Sequence, residues 1–194
     1  MKLVTAEERA AEQRKEEIQQ RRNECSWMGI PERYRFMADP AAVVQDTQAI
    51  VMVKELQRAE IIVLSGAAGC GKTAAACWWL MQAKQRYANG PLFVTAQSLA
   101  RVSRYDEDTI GRIFKAQQVA IDDLGAEYAD EKGFFHSFLD EVINERYSNK
   151  LPTLITTNVE GEAFKVRYGE RIADRIRESG QFVSLDNPSM RKRT

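Results

Sequence analysis

From residue 61 onward, short apolar runs alternate with stretches whose apolar residues recur at helical spacing. Five runs have the length and composition of buried strands, namely IIVLS, PLFVT, QVAIDD, PTLITT and QFVSLD. Helical patterns lie between them over residues 73–87, 96–115, 130–147 and 162–178. Strands joined by helix-sized connections form parallel sheets, because a parallel crossover needs about a dozen residues or more. The pattern predicts a three-layer α/β/α fold around a five-stranded parallel sheet.

The beginning of the chain has a different pattern. Residues 1–24 are rich in Glu, Arg, Lys, Gln and Ala, which favours a helix with little apolar surface to bury. Such a helix is either a solvated extension or a docking helix for a partner protein. Gly29, Pro31 and Pro40 then interrupt the chain before helical spacing returns. We expect a helical extension over residues 1–27, with possible partner docking, and an α/β domain over residues 28–194.

Composition narrows the classes of function. The 28 basic and 28 acidic residues give a formal net charge of zero, so nucleic-acid binding would have to come from a local patch. Cys25, Cys70 and Cys77 form no CxxC pair and leave an odd thiol, which suits a reducing compartment. The chain shows neither a signal-peptide pattern nor an apolar run long enough to cross a bilayer. We therefore expect a soluble, cytoplasmic protein with no membrane partner.

The stretch GAAGCGKT follows the first predicted strand and opens a helix. It matches the phosphate-loop pattern G-x-x-x-x-G-K-[ST], in which glycines let successive backbone N–H groups point at phosphate oxygens. Lys72 is expected to reach the β and γ phosphates, and the Thr73 hydroxyl group is expected to bind Mg²⁺. The predicted nucleotide-binding residues are Gly66, Ala67, Ala68, Gly69, Cys70, Gly71, Lys72, Thr73 and Ala74.

The stretch VAIDDLG places two carboxylates at the end of the third predicted strand. Asp122 would lie at the carboxyl edge of the sheet, where it could hold Mg²⁺ through water. Asp123 is then the candidate that orients an attacking water molecule. An aspartate reaches about one methylene less far than the glutamate found in many related sites, so we expect hydrolysis to be slow or stimulated by a partner. The alternative is an acidic pair in an exposed turn or helix cap.

The stretch PTLITTNVE ends a strand in polar residues. The amide of Asn158 could hydrogen-bond the attacking water or the γ phosphate and so distinguish ATP from ADP. A strand that simply ends in a helix N-cap would have the same sequence pattern.

The stretch YGERIADRIRESG places Arg171 and Arg175 on one helix face, with Arg177 less regularly spaced. An arginine held against the γ phosphate of another subunit stabilises the charge that develops during phosphoryl transfer. The alternative is a solvated charged helix in which Glu170 and Asp174 pair with the arginines.

The order of these motifs resembles that of the AAA+ ATPases of the DnaC and IstB type, which are replicative helicase loaders and transposase accessory ATPases. The matching segments are GAAGCGKT, VAIDDLG, EVINERY, ITTN and YGERIADRI, preceded by GIPERYRF. The resemblance covers residue 28 to the end of the chain, and of its motifs only the phosphate loop is specific by itself.

The resemblance implies ATP and Mg²⁺ as cofactors and a role for each motif. Asp122 and Asp123 would form the Walker B pair, Asn158 would be sensor one, Arg175 the arginine finger and Arg191 sensor two. The chain ends soon after the last predicted strand, so we also expect no C-terminal lid domain. Nucleotide contacts would then shift towards a neighbouring subunit in an ATP-dependent homo-oligomer.

Three functions are compared: a loader or remodelling ATPase on DNA, a small-molecule P-loop kinase, and an adaptor that holds nucleotide without turning it over. The arginines near the end of the chain are placed like an arginine finger that acts across a subunit interface, rather than like the lid arginines of a kinase. The acidic pair favours an enzyme that hydrolyses ATP over an adaptor that only binds it. We expect an ATP-hydrolysing helicase loader that assembles on single-stranded DNA, with an IstB-like transposase accessory ATPase as the alternative. The protein partner would be a replicative helicase or a transposase.

One basic stretch is a candidate DNA surface. It comprises Arg101, Arg104, Arg112 and Lys115. The alternative is a solvated surface, since Asp106, Glu107 and Asp108 lie in the same stretch.

Overall fold

The computed structural model describes residues 5–83, 89–102, 106–127 and 133–189. The chain forms two compact units, Met1–Gln45 and Asp46–Thr194. The functional division expected between residues 27 and 28 stays a prediction. Within the described ranges, no helix combines the length and apolar character needed to cross a membrane.

The first unit contains a long helix and a short 3₁₀ helix. The long helix, α1, is Ala6–Trp27, and the 3₁₀ helix is Glu32–Ala38. Thr5 and Glu8 form a capping box at the start of α1: the Glu8 N–H donates to Thr5 Oγ1 at 3.2 Å, and the Thr5 N–H donates to Glu8 Oε2 at 2.8 Å. Side chains along α1 are exposed apart from buried Cys25 and half-buried Ile18 and Glu24. Such a helix has little apolar surface to bury, as its composition predicts.

The second unit alternates helices and strands along the chain. Its elements are α2 (Gln48–Glu55), β1 (Ile61–Gly66), α3 (Lys72–Met81), β2 (Leu92–Thr95), α4 (Ala96–Ala100), α5 (Glu107–Lys115), β3 (Val119–Leu124), α6 (Phe134–Ser148), β4 (Thr153–Thr157), α7 (Gly161–Tyr168), α8 (Glu170–Ser179) and β5 (Gly180–Leu185). The five strands form one parallel sheet in the order β2-β3-β4-β1-β5. The predicted α/β fold is confirmed.

Two of the predicted helical segments are each divided in the structure. Residues 96–100 and 107–115 form α4 and α5, and residues 162–178 are divided between α7 and α8 at Gly169. Gly169 has a φ of 93°, which interrupts the helical backbone. The predicted helical residues 84–87, 103–105 and 130–132 lie outside the described residues.

The core lies on both faces of the sheet. On β1, Ile61 and Val63 belong to a buried cluster that also contains side chains of α5, α6, α7 and α8. Ile62 and Leu64 are equally buried but point to the other face, because successive side chains of a strand alternate. The helix α3 packs against β1, β2, β3 and β4 without contributing to that cluster, which identifies the second helical layer. Burial on both faces explains why the strands are near-continuous apolar runs.

Strand order decides which residues share the carboxyl edge of the sheet. The strand β4 lies between β1 and β3, with Thr156 in register with Leu64 and Ile155 in register with Ile121. The carboxyl ends of parallel strands meet at one edge, so the phosphate loop after β1, the acidic pair at the end of β3 and Asn158 after β4 all lie there.

The opposite edge of the sheet is held by a buried arginine. Arg146 on α6 has no exposed surface, and its guanidinium donates to Thr153 Oγ1 at 2.9 Å and to the carbonyl oxygens of Ile113, Ala116 and Pro152 at 2.8–2.9 Å. Ile113 and Ala116 lie at the C-terminal end of α5, where carbonyl groups lack helical partners. Burial lowers the pKa of Arg146 to about 9, so the side chain stays protonated at neutral pH. One cation therefore joins α5, α6 and the start of β4.

Replacing Arg146 should destabilise the fold. Arg146→Met should lower the free energy of unfolding by about 3 kcal/mol or more, because an unsatisfied buried polar group costs about 1–3 kcal/mol. That loss corresponds to a Tm lower by roughly 6–12 °C for a chain of this size. Arg146→Lys keeps the charge but makes fewer hydrogen bonds, so its loss should be intermediate. Thermal unfolding measures both, with Arg177→Met as the matched surface control, for which we expect a change within about 1 kcal/mol.

Candidate nucleotide-binding site

The loop between β1 and α3 has the backbone of a phosphate cradle. Gly69 and Gly71 adopt positive φ values of 89° and 97°. Residues with side chains rarely adopt these angles, so both positions need glycine. At Gly66, a Cβ atom would lie 2.7 Å from the carbonyl oxygen of Leu185 on β5, so glycine is needed there for space. The glycines of the sequence motif thus follow from the conformation and packing of the loop.

The ammonium group of Lys72 lies inside this loop. It donates to the carbonyl oxygens of Gly66 at 2.7 Å and Ala67 at 2.9 Å, and to Asn158 Oδ1 at 2.8 Å. The Lys72 side chain is buried, so these bonds hold its charge in place. Phosphate oxygens are stronger acceptors for an ammonium group than neutral carbonyl oxygens are. The arrangement brings the predicted phosphate-binding cation to the predicted sensor amide.

The side chain of Asp122 is buried between two hydroxyl groups. Its Oδ2 accepts from Thr73 Oγ1 at 3.2 Å, and its Oδ1 accepts from Thr156 Oγ1 at 2.7 Å. The structure thus brings together the two residues that the sequence predicts as Mg²⁺ ligands. A carboxylate and a hydroxyl oxygen are ligands that suit Mg²⁺, which takes its other ligands from phosphates and water. In the described ranges, no three His, Cys, Asp or Glu side chains form a metal-binding group, and a Mg²⁺–nucleotide site does not require one.

Asp123 lies in a β-bulge where the register of β3 on β4 shifts between Ile121 and Leu124. Its φ of 59° is unusual for a residue other than glycine, and its side chain is exposed. The Asp123 N–H donates to Thr156 Oγ1 at 2.9 Å, and Asn158 Nδ2 donates to Asp123 Oδ1 at 3.4 Å. Bulges at sheet edges re-aim side chains, and strained backbone is retained where the surrounding structure holds it. The acidic pair is therefore divided into one buried and one exposed carboxylate.

A second buried carboxylate, Glu127, follows the acidic pair in the sequence, four residues after Asp123. The sequence patterns did not predict it as a site residue. It accepts hydrogen bonds from the Gly125 N–H at 2.6 Å, from Arg167 at 2.7 Å and from the Tyr168 hydroxyl group at 2.8 Å. Burial by itself raises the pKa of Glu127, but these donors outweigh burial and lower the pKa below its usual value. Burial and the bond to Glu127 raise the pKa of Tyr168. Nothing in the stretch LGAE distinguishes Glu127 from a solvated loop residue.

The predicted finger, Arg175, contacts α6 and its own helix. Its guanidinium donates to Asp140 Oδ1 at 3.3 Å, to Asn144 Oδ1 and to the carbonyl oxygen of Arg171 at 3.5 Å, and it lies 5.7 Å from the ring centre of Tyr147. Its side chain is only 13% exposed. The guanidinium of Arg171 also pairs with Asp140, at 3.0 Å from Oδ2, but the Arg171 side chain is 69% exposed. The two arginines share one face of α8, as their spacing predicts, and their recorded partners within the described residues do not include the phosphate loop.

Two of the residues singled out in the sequence lie outside the described residues: Arg191, the predicted sensor two, and Arg104 of the basic stretch. The other members of the basic stretch, Arg101, Arg112 and Lys115, are exposed.

Comparison with known proteins identifies relatives of this architecture. The model of the family described as IstB-like ATP binding protein matches residues 1–194. A comparison with curated proteins gave no match. Among solved structures, the chain is similar to the DnaC helicase loader, with a TM-score of 0.63 and 20% identity over 80% of this chain and 100% of that chain. DnaI gives a TM-score of 0.53 and 20% identity over 74% of this chain and 87% of that chain. The structure of replication initiator DnaA bound to AMPPCP and single-stranded DNA gives a TM-score of 0.58 and 14% identity over 76% of this chain and 49% of that chain.

Removing the ammonium group in the loop should weaken ATP binding. Lys72→Ala should reduce affinity by about 10- to 100-fold, because a hydrogen bond to a charged group contributes about 1.5–3 kcal/mol. Titration with a fluorescent ATP analogue measures the loss, and circular dichroism checks that the variant is folded. Lys54→Ala removes an exposed ammonium group and serves as the control. Equal affinity in folded Lys72→Ala and the unaltered chain would contradict the role of Lys72.

Proposed function

The chain belongs to the family of IstB-like ATP binding proteins, and on this premise we propose that it is an AAA+ ATPase that assembles on single-stranded DNA and loads a replicative helicase. The observation that carries the ATPase activity is the convergence of Lys72, Asp122 and Asn158 at one edge of the sheet. Helicase loading is supported by the likeness to the DnaC helicase loader, whose compared chain is covered completely.

ATP binding begins at the phosphate loop. The backbone N–H groups at the start of α3 and the Lys72 ammonium group attract the phosphates, because a helix N-terminus carries partial positive charge. The bonds from Lys72 to Gly66 and Ala67 are then exchanged for bonds to phosphate oxygens. Its bond to Asn158 is the link through which the presence of a γ phosphate can be sensed.

Thr73 and Asp122 would hold Mg²⁺, which fits their hydroxyl and carboxylate oxygens at 3.2 Å from each other. The ion supplies charge neutralisation at the β and γ phosphates when it is bound. Thr156 fixes the second oxygen of Asp122, so that the carboxylate keeps one orientation.

Asp123 and Asn158 would orient the attacking water molecule. The Asp123 carboxylate is exposed at the sheet edge and can accept a hydrogen bond from water. Asn158 contacts both Asp123 and Lys72, so a water molecule held by Asp123 would lie close to the γ phosphate bound by Lys72. The short side chain of Asp123 supports slow or partner-stimulated turnover.

A second copy of the chain would supply Arg175 to this site. Arg175 uses Asp140 and Asn144 as partners, and a guanidinium carries five N–H donors, so donors remain for a phosphate. The neighbouring Arg171 is the more exposed of the two and is the comparison residue for any test.

Two further surfaces are the proposed binding sites for the protein partner and for DNA. The helix α1 is exposed along nearly its whole length, which supports its use in docking a helicase or transposase. Exposed Arg101, Arg112 and Lys115 support contacts with the DNA backbone.

A transposase accessory ATPase is the second candidate function, and it is favoured by the IstB-like description of the matching family. A small-molecule kinase is the least favoured, because such enzymes need an acceptor pocket and arginines from a lid. Capture of partners by the full chain in the presence of ATP, followed by mass spectrometry, separates the first two: a replicative helicase supports loading and a transposase supports the second function. ATPase rates that ignore both protein concentration and single-stranded DNA would favour the kinase.

Chemistry and binding should separate at Asp123. Asp123→Asn should keep Mg²⁺-dependent ATP binding and lose about 100-fold or more in turnover, as expected when a group that orients or deprotonates water is neutralised. Phosphate release measures turnover, and Asp108→Asn on α5 is the control for removing an exposed carboxylate. Unchanged turnover in Asp123→Asn would mean that another residue orients the water molecule.

Arg175 should act only across an interface between subunits. Arg175→Ala should keep ATP binding by the single subunit but lose at least about tenfold in DNA-stimulated hydrolysis, less than the 10³–10⁵ known for fingers in other NTPases. Mixing it with Lys72→Ala should recover part of the activity, since each Lys72→Ala subunit can lend its Arg175 to an intact phosphate site. Arg171→Ala in the same mixture tests which arginine acts.

Light scattering or crosslinking establishes whether the mixed variants assemble. Absence of rescue in folded, co-assembled mixtures would refute the finger and leave Arg171 and Arg175 with a structural role in holding α8 against α6.

A further inference from the structure

The turn from Asp123 to Ala126, at the end of β3, holds Asp123 in a backbone conformation that is unusual for a residue other than glycine. Asp123 has a φ of 59° and Gly125 a φ of 114°. The Ala126 N–H donates to the Asp123 carbonyl oxygen at 3.1 Å, which closes the turn from one side. Sparsely populated backbone conformations persist only where the surrounding structure determines them. A group in or next to the turn must therefore supply that constraint.

Glu127 closes the same turn from the other side. Its Oε2 accepts from the Gly125 N–H at 2.6 Å, while its Oε1 accepts from Arg167 at 2.7 Å and from the Tyr168 hydroxyl group at 2.8 Å. The side chain is only 2% exposed, so water does not compete for these bonds. The carboxylate thereby joins the turn that carries Asp123 to the last two residues of α7.

The chemistry of the pocket specifies an ionised carboxylate. The groups from Gly125 and Arg167 that face its two oxygens are obligate donors. A glutamine side chain has one oxygen and one NH₂ group, so in either orientation its NH₂ group would face a donor. The isosteric change from Glu127 to Gln therefore breaks one side of the link without creating a cavity.

From this geometry we propose that Glu127 is a positioning residue for hydrolysis: it acts through the turn at Gly125 to hold the Asp123 carboxylate at the sheet edge, and Arg167 and Tyr168 anchor it to α7. The inference rests on the proposed role of Asp123 in ATP turnover. Glu127 itself contacts neither nucleotide nor water in this mechanism.

A double-mutant cycle in turnover tests the proposal with the full chain. Glu127→Gln should lower kcat by about 10- to 100-fold, the loss expected from a small misplacement of a catalytic group, while KM for ATP changes little. In chains that already carry Asp123→Asn, adding Glu127→Gln should cost no further turnover, because the two residues act through one group. Glu162→Gln, an exposed glutamate on α7, is the matched control and should leave kcat unchanged.

Losses that add in the double variant would overturn the proposal, since Glu127 would then act independently of Asp123. An unchanged kcat in folded Glu127→Gln would also overturn it. If the unaltered chain hydrolyses no ATP, the proposed function fails, and the positioning is tested separately by the backbone amide resonances of labelled protein. Glu127→Gln should then shift the Asp123 and Gly125 resonances while Glu162→Gln leaves them in place, and an unmoved Asp123 resonance would refute the inference.

Discussion

The acidic pair depends on one hydroxyl group. Thr156 Oγ1 donates to Asp122 Oδ1 at 2.7 Å and accepts from the Asp123 N–H at 2.9 Å. A hydroxyl group can donate and accept together, so a single side chain orients one carboxylate and also holds the bulge on the side of β4, opposite the turn that Glu127 closes. Because β4 lies between β1 and β3, the strand that carries Thr156 also brings Asn158 to the Lys72 ammonium group at 2.8 Å. The strand β4 thus ties the phosphate loop to the acidic pair, and the proposed chemistry requires both.

The polar groups at the two edges of the sheet are held in different ways. At the carboxyl edge, Lys72 and Asp123 are held by polar bonds that phosphate or water can replace. At the amino edge, Arg146 is fully buried and donates to Thr153 and to carbonyl oxygens of the loops and of α5, where no ligand competes. At the carboxyl edge, the unusual backbone conformation of Asp123 persists because local hydrogen bonds hold it, among them the bond from the Asp123 N–H to Thr156 Oγ1.

The helices α7 and α8 connect the candidate site with the arginines that are proposed to act in a second copy of the chain. Glu127 holds Arg167 and Tyr168 at the end of α7, and Gly169 separates them from α8, which carries Arg171 and Arg175. Both arginines contact Asp140 on α6. Residues proposed to act in hydrolysis within one subunit and in its neighbour therefore lie on adjoining elements, which is the arrangement expected if activity depends on assembly.

The amino-acid sequence was sufficient to predict the five parallel strands, the phosphate loop and the candidate site residues Asp122, Asp123 and Asn158. These features depend on local patterns: apolar runs, glycine spacing and polar residues at strand ends. Three features required the folded structure: the position of β4 between β1 and β3, the division of the last helical segment at Gly169, and the burial of Glu127 and Arg146. The partners of Glu127 on α7 are 40 and 41 residues away, and those of Arg146 on α5 are 30 and 33 residues away. A charged residue in a polar stretch carries no local mark of such partners, because its burial depends on which distant backbone and side-chain groups the fold brings against it.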